Sequence, residues 1–168
     1  MLWNYEIANE AYQLHHDIEP LPNGNILVLA WERKTANEAF GIGRQTIDNP
    51  LNEMWSEAIL ELELVGSNDA NIVWEWHLWD HLIQDIDPEL PNYGVVADHP
   101  ELQDINYGNV GSMSDPLGPN GDWKHLNSID YNEDLDQIII SSRHHDEIYI
   151  IDHSTTTEEA ASLSLIHI

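Results

Sequence analysis

Cysteine is absent from the 168 residues, and only five basic side chains stand against 31 acidic ones. The first absence removes disulfides, thiolate nucleophiles and thiolate-based zinc sites, without fixing a compartment. The second gives a formal net charge of −26, a field that repels nucleic acid and anionic membrane surfaces. An anionic substrate must therefore meet a local cluster of donors. Long apolar runs are missing too: nothing approaches the ~20 residues that span a bilayer. The opening segment MLWNYEI lacks the basic-then-apolar order of a signal peptide and reads like the interior of a strand. What the chain does hold is 42% hydrophobic residues, seven of them Trp, enough for a packed core. Its length predicts about one domain, and the acid excess reads chiefly as a solvated surface, as in salt-adapted proteins.

Strand patterns dominate. Residues 14–33 carry a short strand, a Pro-Asn-Gly-Asn turn and the apolar run Ile26 to Trp31; Asn-Gly between apolar segments is a strong hairpin signal, since both residues tolerate positive φ. EAILELEL at 57–64 alternates from Ile59 onward like a half-buried strand, and after the turn Gly66–Asp69 a β-favouring strand follows at Asn71–His77. Residues 78–122 break the rhythm, starting with a helix-like LWDHLIQDI and continuing rich in Asp, Pro and Gly; they predict a functional loop or lid too polar for a core. Strands resume at Lys124–Tyr131, Gln137–Arg143 and Glu147–Asp152, and Ser154–Thr157 forms a turn or caps a short helix.

An internal repeat emerges. His16 precedes Arg33 by 17 residues across a turn and an apolar strand, and His125 precedes Arg143 by 18 in the same way. A repeated unit of four antiparallel strands predicts an all-β fold, a partial β-propeller. In that reading 1–7 ends one blade, 14–77 is a full blade and 124–161 is an incomplete blade with three strands. Residues 162–168, SLSLIHI, read as a non-native tail, and the chain as a piece of a longer protein, since propellers close with four to eight blades.

Three polar groups could carry chemistry: His15-His16-Asp17, the run Asp122 to Asn127, and Ser141 to Asp146. First strands line the channel of a propeller, so His16 and His125 should converge. Asn127 should share a face with His125, two residues apart on a strand, and Arg143 should reach the same place from the adjacent strand. An Arg fork, an amide and two imidazoles suit a tetrahedral oxyanion such as sulfate or phosphate. A His-carboxylate metal site is the competing reading of HHD and HHDE, weakened because adjacent His on a strand face opposite ways. Most other His are expected to be structural or on the surface, and most Trp to pack in the core.

The segments HHDIEPLPNGNILVLAWE, DWKHLNSIDYN and DQIIISSRHHDEIYIIDHSTTTEEA resemble the arylsulfate sulfotransferase (arylsulfotransferase) family, over nearly all of residues 1–161. The resemblance implies a six-bladed propeller enzyme, typically exported to the periplasm. Such an enzyme transfers a sulfuryl group from an aryl sulfate donor to a phenolic acceptor without a nucleotide cofactor, in two steps through a sulfated histidine. It places His125, Asn127 and Arg143 at sulfuryl-binding positions and His16 at the first His motif, with His15 as the one-residue alternative. No segment matches the motif of the family's nucleophilic His, so the isolated chain is expected to show no turnover of a chromogenic aryl sulfate. The rival expectations are a non-catalytic propeller used as a binding or scaffold module and a metal-dependent hydrolase on the same fold.

Overall fold

The computed structural model describes residues 3–111, 118–162 and the strand at 165–167. Asn23 and Gly24 close the first hairpin as the sequence predicts. Gly24 sits at φ +92°, and the Asn23 side chain accepts from Asn25 N–H at 2.9 Å. The hairpin joins β1 (Tyr12–Pro20) to β2 (Ile26–Thr35). A six-residue helix, α1 (Ala36–Gly41), follows behind a Thr35/Glu38 capping box. With β3 (Glu53–Val65) and β4 (Asp69–His77) these strands make an antiparallel sheet in the order β1-β2-β3-β4.

A second antiparallel sheet holds β7 (Leu126–Asn132), β8 (Gln137–Ser142) and β9 (Glu147–Asp152). The sequence reading ended this sheet at three strands. A short β10 (Leu165–His167) pairs with β9 as a fourth, giving the order β10-β9-β8-β7; residues 163, 164 and 168 of the expected tail lie outside the described residues. Thr156 caps a short helix, α2 (Thr157–Ala160), the second of the two alternatives for that segment. Residues 3–7 enter no sheet. Ala8 makes a single bridge to Gln13, while Ile7, Trp3 and Tyr5 cover one face of the first sheet over Val28, Ala30, Ala58 and Leu60. Residues 1 and 2 lie outside the described region.

The two sheets meet along their first strands. Asp17 on β1 accepts the Ile129 N–H of β7 at 3.2 Å, and one core runs between the sheets through Leu27, Leu29, Ile59, Trp76, Trp123, Leu126, Ile140 and Tyr149. Two expectations are corrected here. Residues 78–122 are not a loop held off the core. Among those described, Leu78, Leu82, Ile83 and Ile105 are at most 3% exposed, placed by a 3-10 turn (Leu78–His81) and a small parallel pair, β5 (Leu82–Ile83) and β6 (Gln103–Asp104). Sparse apolar residues suffice because Leu78, Leu82, Ile105 and Val110 join the core between the sheets, while Ile86, Tyr93, Val95 and Tyr107 stay exposed. Strand β3 is not half-buried either: Ser56 to Leu62 are all buried, Glu57 and Glu61 included. Both of its faces are covered, and the two carboxylates are tolerated because each is hydrogen-bonded. Glu61 accepts from Asn23 and Asn25 and pairs with His153 of the second sheet at 3.0 Å.

Candidate functional site

The repeat seen in the sequence reappears as a repeated backbone distortion. His16 and His125 both adopt left-handed conformations, at φ +54° and +52°. His16 lies inside β1, where pairing slips between Leu14 and Ile18, and His125 immediately precedes β7, one residue before pairing slips between Leu126 and Ser128. Non-glycine residues at positive φ are uncommon and concentrate where a side chain must be re-aimed. The two rings come together at 4.3 Å between centroids, edge to face. His144 stands 4.9 Å from His125 on the other side.

His15 and His16 divide the roles that the sequence left open. The His15 side chain is 3% exposed, stacked 4.3 Å from Trp31 and 2.9 Å from Glu57 through Nε2. His16 is the one that reaches His125. The bulge also overturns the expectation that neighbouring His face opposite ways, since His15 Nδ1 and His16 Nδ1 lie 2.9 Å apart.

Beside His125 opens a cleft of about 310 Å³ lined by Asn109, Asn120, Asp122, Arg143 and His144 among others. Asp122 is 6% exposed; its Oδ2 bonds His125 Nδ1 and its Oδ1 accepts the Trp31 indole N–H at 3.2 Å. Asp122 thereby fixes the ring orientation of His125 and commits its Nδ1 inward. Gly111, at φ +72°, shapes the wall: a Cβ there would fall 1.9 Å from the Asn120 carbonyl oxygen, so only glycine lets the two segments cross. Arg143 is tied in by its backbone, its N–H donating to His125 O at 3.0 Å. Its guanidinium is exposed and makes no side-chain hydrogen bond or ion pair among the described residues.

Of the four expected residues, His125 and Arg143 line this cleft; His16 meets it only through its contact with His125, and Asn127 does not line it. The left-handed turn at His125 breaks the two-residue alternation that was to put them on one face. Its Oδ1 accepts the Ser141 hydroxyl at 3.0 Å, which leaves the amide N–H groups to donate. Glu57, Trp31, Asp122 and His144 were not picked out as site residues. Asp122 and His144 lie inside two of the polar runs that the sequence marks, without a role of their own there, and spacing three residues before His125 is the signal that points to Asp122. Glu57 is hidden in what looks like an ordinary alternating strand.

The electrostatics favour neutral rings at His15 and His16. Burial pushes His15 down to about 4, against an opposing pull from Asp122. Burial also lowers His16, helped by His125 and His15 and by the Arg143 charge, with Asp122 opposing. Asp122, His125 and His144 each offer an atom within 4.8 Å of the others, a spacing open to a metal ion. The Asp122 carboxylate is, however, already occupied by His125 and Trp31.

Behind the cleft, Lys124 is 1% exposed. It donates to Gln103, to Tyr149 Oη at 3.1 Å and to His145 Nδ1 at 2.5 Å, while its carbonyl holds His144 N–H and Ser142 Oγ. Burial brings the Lys124 amine down to about 7. Between that value and the ordinary ~10.4, the unfolded chain binds more protons than the folded one, so this residue makes stability rise with pH over that window. Urea unfolding from pH 7 to 10 should show wild type gaining on Lys124→Met as pH rises; a constant difference would contradict the assignment.

No curated protein and no solved structure matches the chain. The model of one protein family does, Arylsulfotransferase (ASST), over residues 1–158. That match takes in both sheets' first strands, the paired His16 and His125, and Arg143, and on it the chain belongs to the arylsulfotransferase family.

Proposed function

We propose that this chain binds and positions the sulfuryl group during its transfer from a phenolic sulfate ester to a phenol acceptor. The two four-stranded sheets are, in this reading, neighbouring blades of a six-bladed propeller with β1 and β7 innermost. The observation that carries it is the convergence of His16 and His125, both at positive φ, beside a cleft that holds a guanidinium unpaired among the described residues, in a chain of charge −26. Arg143 takes two sulfuryl oxygens through its planar fork. His125, with Nδ1 held by Asp122, donates from Nε2 to a third oxygen in its doubly protonated form, the only form in which both ring nitrogens donate, and the Asn127 amide donates from the strand edge. Fixed donors of this kind stabilise the charge spread over a transferring sulfuryl as they do a phosphoryl. His16, neutral near pH 7, protonates the leaving phenolate or deprotonates the acceptor.

The covalent carrier in this route is a histidine other than these two, and the setting is an exported one, as is typical of the family. No described helix is long and apolar enough to cross a membrane. Calorimetry with phenyl sulfate and with phenol tests the reading: the ester should bind more tightly than phenol at the same ionic strength, whereas equal binding of the two would remove the sulfuryl site.

A further inference from the structure

Glu57 lies on β3, far in sequence from the histidine motifs, with a side chain fully removed from solvent. Its Oε1 accepts the Leu126 N–H at 3.0 Å, and its Oε2 lies 2.9 Å from His15 Nε2. His15 Nδ1 in turn lies 2.9 Å from His16 Nδ1. Carboxylate and rings form one unbranched chain, in which His16 Nε2 is the single ring nitrogen not committed. A hydrogen bond between two imidazole nitrogens needs one N–H and one lone pair, so with neutral rings the chain has two consistent states. With Glu57 ionised, His15 carries its proton on Nε2 and His16 on Nδ1, leaving His16 Nε2 a bare lone pair. With Glu57 protonated, both rings are reversed and His16 presents Nε2–H.

We propose that Glu57, His15 and His16 are a proton relay, in which Glu57 is the terminal proton holder and sets the tautomer of His16. The assignment of His16 to an acceptor phenol rests on the sulfuryl-transfer reading. In the forward step the acceptor O–H breaks and its proton bonds to His16 Nε2. The Nδ1 proton of His16 passes to His15 Nδ1, and the Nε2 proton of His15 passes to Glu57 Oε2. The negative charge leaves Glu57 and appears on the acceptor oxygen, and both rings finish neutral. The reverse sequence delivers a proton to a departing phenolate.

The surroundings favour this over an imidazolium. Burial raises the Glu57 carboxyl well above the usual range; Asp122 adds to the rise, while the Leu126 N–H, His125 and Lys124 oppose it. The Tyr149 hydroxyl, itself raised by burial, also feels Glu57. His15 is held down to about 4 by burial and so does not keep the proton. Around His16 stand His125, His15, Asp122 and Arg143.

The test is side-chain NMR on the full chain with ¹⁵N-labelled histidine and ¹³C-labelled glutamate carboxyls. On the alkaline side of the Glu57 titration, His16 should be protonated on Nδ1 and His15 on Nε2, and both should reverse together as the Glu57 carboxyl takes its proton. In Glu57→Gln the amide can still accept from Leu126 while donating to His15 Nε2, so His16 should hold Nε2–H at every pH. The same His16 tautomer in both proteins on the alkaline side of the Glu57 titration, or wild-type tautomers that ignore the Glu57 carboxyl, would overturn the relay. If the variant does not fold, the wild-type titration alone decides. None of these readouts depends on sulfate binding, so the relay and the sulfuryl-transfer reading can fail separately.

Discussion

Trp123→Ala should destabilise the protein by about 3–5 kcal/mol, the usual cost of truncating a buried aromatic. Trp123 is 0% exposed and belongs to the core shared by the two sheets. Its indole N–H donates to the Tyr107 carbonyl at 2.8 Å, which links the 78–122 excursion to the second sheet. The Lys124 ammonium lies 4.9 Å from its ring and His145 packs edge-on at 5.7 Å. Alanine would leave a cavity against both sheets and an unpaired carbonyl, and the surrounding strands cannot collapse into it without breaking register. For a chain of this length the melting temperature should fall by on the order of 10 °C. Urea unfolding followed by circular dichroism measures the loss. A change under about 0.5 kcal/mol, the level of an ordinary surface substitution, would mean that the excursion is a lid after all and not part of the core.

Arg143→Ala should have the opposite profile, a large effect on binding and almost none on folding. The guanidinium is exposed and unpaired among the described residues, so its removal should change stability by no more than about 0.5 kcal/mol. A charge-assisted hydrogen bond to an oxyanion contributes about 1.5–3 kcal/mol, so phenyl sulfate affinity should fall by roughly 10- to 100-fold. Arg143→Lys should recover part of this through its charge but not the paired contact. Asn127→Ala should cost less, because the amide lies outside the cleft lining and is already shared with Ser141. Calorimetric titration of the three variants would show the order; equal losses for Arg143 and Asn127 would place the sulfuryl group nearer the strand edge than the cleft.

The parts of this molecule that were legible in the sequence are those governed by local chemistry. Asn23-Gly24 announces its hairpin because few other residues adopt that turn, and the matched His-to-Arg spacings announced two equivalent sheets. The convergence of His16 and His125 was legible for the same reason. What sequence periodicity could not show is where a strand leaves its period. At His125 a single positive φ moves Asn127 off the expected face, and at His16 it lets adjacent rings bond each other. Tertiary burial hid the rest. Glu57 lies two residues ahead of the alternation that the sequence shows, yet sits where the second sheet covers it, and Ile105 lies in the segment that read as too polar for a core, yet is fully buried. Membership of the arylsulfotransferase family agrees with the motifs, and those motifs cluster at the two bulges.

The most direct test of the sulfuryl site is a titration of phenyl sulfate into the protein with ¹⁵N-labelled histidine, read at every imidazole at once. The cleft account predicts saturable shifts at His125, His144 and His16, with His81 and His153 unmoved, since His81 is fully buried beside Trp76 and His153 is held between Glu61 and Asp136. Shifts confined to other histidines, or none at concentrations where calorimetry detects binding, would contradict it.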